Sequence, residues 1–302
     1  MSLTSPDQNP FNYILVSPAE LHTALSGPPS SRRIVPVAAG RLNALTSYRD
    51  SHIPSSVFFN MDKVRDTTSP YPQMLPTPNH FASCMSLLGI QPDDIVVIYD
   101  TPDIGLYFSP RVAWMFNYFG HTDVHVLNNF PRYIDQGFPV SKGDLSTISN
   151  SPNPSSIGNT NYSTASTINF EELRDSLATN KDQQKFQILD ARIPRLFFGT
   201  GIDSNTSRPL GHMPGAINIP LASILTSDKA ILPTVQLNQV FEEAGVKEDL
   251  PVVLTCNSGV TAAALGLALQ ICGYNMDKRL YDGSWSEWAD RATTDGLIVH
   301  GS

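Results

Sequence analysis

The sequence predicts an α/β protein made of two similar domains in tandem, each a small doubly wound parallel sheet flanked by helices. Three observations carry this expectation. The chain has 302 residues, more than one hydrophobic core usually serves, and roughly 150 residues per domain gives two. Within each half, short apolar runs alternate with stretches of helical period, which is α/β ordering. The same pieces also recur in the same order in both halves, the mark of a duplicated unit.

The recurrence can be followed along the chain. HIPSSVFFNMD begins at His52 and HMPGAINIPLA at His212; DDIVVIYD ends at Asp100 and DLPVVLTC at Cys256, each followed by a helical stretch. In the second half, residues 187–191, 216–219 and 252–255 read as strands, with helices over 237–244 and 261–272. Strands as continuously apolar as IVVI and VVL suit a parallel sheet covered on both faces. Residues 141–163, SKGDLSTISNSPNPSSIGNTNYS, are dense in Ser, Asn, Pro and Gly and read as a linker. The expected domains are therefore 1–140 and 164–302.

Composition excludes several functions. Twenty Lys and Arg against 28 Asp and Glu leave a net charge of −8, the wrong sign for a phosphate-tracking nucleic-acid surface. The longest apolar runs, such as AAALGLAL from Ala262, fall far short of the roughly 20 residues a membrane span needs. The start, MSLTSPDQNPFNY, has neither a signal-peptide core nor an Arg-rich transit character. A cytoplasmic location is the first expectation and a mitochondrial one the alternative. Three cysteines without a CxxC argue against a disulfide framework or a structural zinc. No cofactor or metal is expected, and a cysteine that matters must act as a thiol.

Cys256 is that cysteine. It follows the strand PVVLT and precedes NSGV and the helical run TAAALGLALQ. In open α/β sheets ligands bind beyond the carboxyl ends of strands, so the thiol stands at a site rather than in a core. Successive N–H groups of a loop opening onto a helix make an anion-binding concavity that favours a thiolate. Cys84 and Cys272 fall in amphipathic helical stretches and read as packing residues. His52 and His212 have neither Cys nor acidic residues at ligand spacing, and Trp285 and Trp288 read as core or wall aromatics.

The loop Cys256-Asn257-Ser258-Gly259-Val260-Thr261 resembles the active-site loop of rhodanese-superfamily sulfurtransferases, in particular the mercaptopyruvate branch, whose loop reads CGSGVT. GHMPGAINIP from Gly211, DAR from Asp190, YDGSWSEW from Tyr281, TSPYPQML from Thr68 and YDTPDIGLYFSPRVAWMF from Tyr99 resemble family signatures in family order. The resemblance implies two tandem rhodanese-like domains, the first inactive because Asp100 stands where Cys256 stands in the second. It implies a sulfur carried as a persulfide on Cys256, from a small donor such as 3-mercaptopyruvate to a thiol acceptor such as thioredoxin or a sulfur-relay protein for tRNA thiolation. Thiosulfate is the rival donor, but its branch has basic residues after the cysteine where Asn257 and Ser258 are neutral.

The same resemblance assigns substrate contacts to Arg195, where Pro194 replaces the usual glycine, and to Arg208. Asn257, Gly259, Val260 and Thr261 shape the loop. Ser258 and Asp62 match two members of a proton-handling set whose histidine falls on Gln73, and glutamine neither gives nor takes protons near neutral pH. Arg192 of DAR reads as structural. A cysteine phosphatase needs an arginine six residues past its cysteine, and Ala262 stands there. A non-catalytic interaction module fits poorly with a cysteine kept among small residues.

Overall fold

The computed structural model describes residues 9–28, 32–144, 163–180, 185–200, 208–294 and 296–301. They fall into two compact units. One lies within Met1–Thr67, Pro76–Ser163 and Ser227–Ala230, the other within Thr68–Leu75, Thr164–Thr226 and Ile231–Ser302.

In the first unit the chain runs β1 (Leu15–Val16), α1 (Pro18–Ser26), β2 (Ile34–Gly40), α2 (Leu45–Asp50), β3 (Val57–Asn60), α3 (Pro78–Leu88), β4 (Ile95–Asp100), α4 (Ser109–Tyr118), β5 (Val124–Leu127) and α5 (Phe130–Asp135). The second unit runs β6 (Thr167–Ile168), α6 (Phe170–Thr179), β7 (Gln187–Asp190), α7 (Pro194–Phe197), β8 (Ala216–Asn218), α8 (Thr234–Glu243), β9 (Val252–Thr255), α9 (Val260–Ile271), β10 (Lys278–Tyr281) and α10 (Ser284–Arg291). The sheet orders are β1-β5-β4-β2-β3 and β6-β10-β9-β7-β8, the same order shifted by five strands. Every pairing between these strands is parallel. The fold is α/β, with two tandem five-stranded parallel sheets of one topology, each flanked by helices.

Strand alternation explains how both faces are covered. Ile95, Val97 and Tyr99 of β4 join one core with Leu21, Tyr48, Phe130 and Tyr133. Val96 and Ile98, equally buried, point to the opposite face, where α4 packs on β4 and β5 and Phe116 meets Phe59 and Phe81. In the second unit Ile188, Val253 and Tyr281 pack with Leu173, Trp285 and Trp288, while α9 packs on β9.

The helices begin slightly earlier than apolar periodicity predicts. Pro233, in the N-cap with φ −56°, starts α8 at Thr234, three residues before the first core position, Leu237. Gly259, with φ +75° and ψ −6°, turns the chain into α9 at Val260. Most of the expected linker, 145–162, lies outside the described residues. Its flanks sit on the first unit: His52 pairs with Ser141, Gly143 N–H bonds Arg49 O at 2.8 Å and Ser163 N–H bonds Tyr118 O at 2.9 Å.

Two short stretches depart from the expected division. Thr68–Leu75 belongs to the second unit, where Leu75 N–H donates to the Asp282 carboxylate at 2.7 Å. Ser227–Ala230 belongs to the first, where Asp228 takes a bidentate pair from Arg132 at 2.6 and 3.1 Å and Asn129 bonds its carbonyl at 2.8 Å. The two repeated histidines are structural twins. His52 stacks on Tyr48 at 4.3 Å and bonds Tyr48 O at 2.9 Å; His212 stacks on Phe197 at 4.0 Å and bonds Phe197 O at 3.0 Å. Among the described residues no helix is long and apolar enough to cross a membrane.

Candidate active site

In the second sheet, the chain leaves β7 towards β8 on one side and β9 towards β10 on the other, and in open α/β sheets such a reversal places the ligand site past the carboxyl ends of the two strands, here β7 and β9. Cys256 is the first residue past β9 and is 2% exposed. Asn257 is exposed and Ser258 half-buried; buried Gly259 turns the chain into α9, whose first residues are Val260 and Thr261. The left-handed φ of Gly259 would strain any side chain.

The first turn of α10 holds this loop from behind. A helix start leaves its first N–H groups unbonded, and here two of them find loop carbonyls. Trp285 N–H donates to Cys256 O at 2.9 Å and Ser286 N–H to Asn257 O at 3.0 Å. Ser286 Oγ adds a second bond to Asn257 O at 2.7 Å. Cys256 N–H donates to Ser284 Oγ at 3.2 Å, and that hydroxyl donates to Tyr281 O at 2.8 Å. These two bonds accompany the unusual φ of +47° at Ser284. In a planar trans peptide the C=O and the following N–H point in opposite directions. With the carbonyls of Cys256 and Asn257 bound to α10, the N–H groups of Asn257 and Ser258 are turned away from it. Neither has an acceptor among the described residues.

The first unit shows such a strand end already filled. The Asp100 carboxylate, at the end of β4, accepts N–H bonds from Tyr107 at 3.0 Å, Phe108 at 2.6 Å and Ser109 at 3.0 Å, and the Ser109 hydroxyl at 2.5 Å. Burial pushes its pKa up to about 6 against the pull of these bonds.

Arg192 is buried against Asp190, with Nε 2.9 Å and Nη2 2.6 Å from Oδ2, and its guanidinium lies 4.0 Å from the Trp285 ring centroid. It also donates to Gly211 O at 2.7 Å, while Asn218 Nδ2 caps the carbonyls of Asp190 and Arg192 at 3.0 and 2.8 Å. This set fixes the end of β7. Arg195 lies exposed on α7. Arg208 makes a bidentate pair with Asp290 of α10 at 2.8 and 3.0 Å, and the next carbonyl, Pro209 O, accepts Trp285 Nε1–H at 3.0 Å. Gln73, with φ +61°, is buried in the second unit.

Asp62 lies in the first unit. Its carboxylate accepts Arg41 Nε–H at 2.7 Å and Leu42 N–H at 2.9 Å. Burial opposes ionisation there, but the Leu42 amide and the Arg41 guanidinium hold the Asp62 carboxyl below the usual range. Cys84 and Cys272 are half-buried, and burial pushes both thiols up, Cys272 to about 11.

Sequence reasoning did not find the roles of Ser284, Trp285 and Ser286. The run YDGSWSEW is the available signal, and by itself it reads as a family signature with two packing tryptophans. Trp288 is core, with Nε1–H on Leu297 O at 2.9 Å, whereas Trp285 links the loop, Arg192 and Pro209.

Residues 172–291, which include Cys256 and its strand-to-helix loop, match the rhodanese-like domain family, and this sets the class of the second unit as a rhodanese-like domain. The mouse protein named 3-mercaptopyruvate sulfurtransferase is 36% identical over 295 residues, 95% of each chain. Rat thiosulfate sulfurtransferase is 36% identical over 272 residues, 87% of this chain and 85% of the rat one. The crystal structure of Tum1 protein from Saccharomyces cerevisiae superposes with a TM-score of 0.84 at 30% identity, covering 96% of this chain and 99% of that one. The chain belongs to the tandem-domain sulfurtransferase family of 3-mercaptopyruvate and thiosulfate sulfurtransferases. It is a sulfurtransferase, an activity that implies a small sulfur donor and a thiol acceptor.

Proposed function

We propose that the chain takes the sulfur of 3-mercaptopyruvate onto Cys256 as a persulfide, releases pyruvate and passes the sulfur to a thiol acceptor such as thioredoxin or a sulfur-relay protein. The observation that supports this reading best is the pair of N–H groups at Asn257 and Ser258, turned away from α10 and without acceptors beside the only cysteine on a strand-end loop. They form a fixed electropositive rim for a sulfur anion.

The reaction is nucleophilic catalysis in two half-reactions. The Cys256 thiolate attacks the donor sulfur, the S–S bond forms and the donor C–S bond breaks. Its electron pair leaves as the enolate of pyruvate, which takes a proton from solvent. The acceptor thiolate then attacks the outer sulfur and restores the Cys256 thiolate. Ser258 is suited to donate its hydroxyl to the departing enolate. Arg195 and Arg208 are the guanidinium groups proposed for the donor carboxylate and carbonyl, and at Arg208 a donor would compete with Asp290. No serine–histidine–aspartate relay is proposed, because Gln73 holds the histidine position and Asp62 is committed to Arg41.

Thiosulfate is the second reading, favoured by the equal identity to the rat thiosulfate sulfurtransferase. The neutral Asn257 and Ser258 weigh against a dianion. Purified protein is expected to release pyruvate from 3-mercaptopyruvate when a thiol is present, and Cys256→Ser is expected to abolish this. Retained turnover in that variant would end the proposal. A kcat/KM higher for thiosulfate than for 3-mercaptopyruvate would replace the donor.

A further inference from the structure

The loop carbonyl at Asn257 receives two hydrogen bonds from one residue. Ser286 N–H, 3.0 Å away, already satisfies an orphan donor of the helix start; the Ser286 hydroxyl, 2.7 Å away, adds a second bond to the same oxygen. A serine in a helix usually turns its hydroxyl back to its own backbone. Ser286 is fully buried, and its hydroxyl instead bonds the loop 29 residues earlier in the chain. The helix start does not need this bond, because the backbone N–H alone provides its cap.

What the hydroxyl adds falls on one peptide. Bonding to Asn257 O fixes the plane of the Asn257–Ser258 peptide and polarises it, so the N–H of Ser258 becomes a stronger donor on the opposite side. A flip of that plane would turn a carbonyl oxygen towards the sulfur and remove the donor. We propose that Ser286 is a positioning residue for sulfur transfer, its hydroxyl holding the Asn257–Ser258 peptide with the Ser258 N–H turned towards the anion carried by Cys256. The proposal rests on Cys256 being the sulfur carrier.

The test is Ser286→Ala in the full chain, read by the Ser258 amide resonance and its hydrogen exchange, together with kcat and KM for 3-mercaptopyruvate. The Ser258 amide is expected to shift and to exchange faster. kcat should fall on the order of tenfold, less than the loss of a direct oxyanion donor, with KM kept within about twofold because ground-state binding is untouched. An unmoved Ser258 amide overturns the proposal, as does a moved amide with unchanged kcat. If the alanine variant fails to fold, Ser286→Cys fills the space with a weaker donor. Its amide is expected to shift in the same direction, and an unmoved amide there overturns the proposal equally. Turnover of Cys256→Ser, measured alongside, judges the sulfur-carrier reading separately, since the amide measurement does not depend on it.

Discussion

The Asp100 carboxylate is buried, yet three backbone N–H groups and the Ser109 hydroxyl surround it. Burial is the largest influence on it and lifts its pKa to about 6. The folded chain therefore holds a proton that the unfolded chain has already released between the ordinary carboxylate range and pH 6. The stability linked to that proton is full below about pH 4 and is lost as pH rises through about 6, a change of about 3 kcal/mol. Urea titrations of the wild type and Asp100→Asn at pH 4 and pH 7 check this. The wild type is expected to lose more stability across the window, by up to about that amount, and equal losses would refute the assignment. Cys256, at the matching strand end, was legible from sequence because its signal is local: an apolar strand, a cysteine, small residues and a helix. Asp62 shows the limit of matching by position, since the Arg41 guanidinium that claims its charge is visible only in the fold.

Helix α10 matters through its first turn rather than its buried aromatic face. Gly283 stands there without a side chain because a Cβ would lie 2.0 Å from Glu287 Oε2 and 2.6 Å from Glu287 Cβ. The carboxylate could swing away, but the Glu287 Cβ is fixed to the helix. Gly283→Ala is expected to cost about 1–3 kcal/mol through overpacking and to lower kcat as Trp285 and Ser286 shift off the loop carbonyls. A thermal melt and turnover measured on one preparation check both; full activity at a lowered Tm would separate the helix start from the loop it holds. This clamp was not readable in the sequence. Ser284 lies 28 residues and Ser286 29 residues beyond their loop partners, and only the parallel pairing of β9 with β10 brings them together.

Across the whole molecule, one fold is used twice with one strand order, and the two copies differ in what ends the fourth strand. In the first unit residues 101–108 separate Asp100 from α4, whereas residues 257–259 alone separate Cys256 from α9. The longer connection closes its N–H groups around a carboxylate, and a thiol placed there would lack the short, α10-backed loop. The double variant Cys256→Ser/Asp100→Cys is therefore expected to show no pyruvate release; measurable turnover would mean that the strand end alone suffices. The stretches Thr68–Leu75 and Ser227–Ala230, each grouped with the other half's sheet, carry no compositional mark that reveals this. Their membership shows only in contacts between residues remote in the chain, such as Leu75 N–H to Asp282 and Arg132 to Asp228.

By itself the sequence determined the α/β class, the duplication, the strand-end thiol and the aspartate at the matching strand end of the first half, because each is written in periodicity or in a run of adjacent residues. Tertiary structure alone decided which carbonyls and amides of the Cys256 loop are bound and which stay open, which carboxylate each arginine meets, and what α10 does. Those outcomes depend on directions and distances between residues remote in the chain. A hydrogen bond needs its partner within about 3 Å and suitably aligned, a condition that periodicity cannot express.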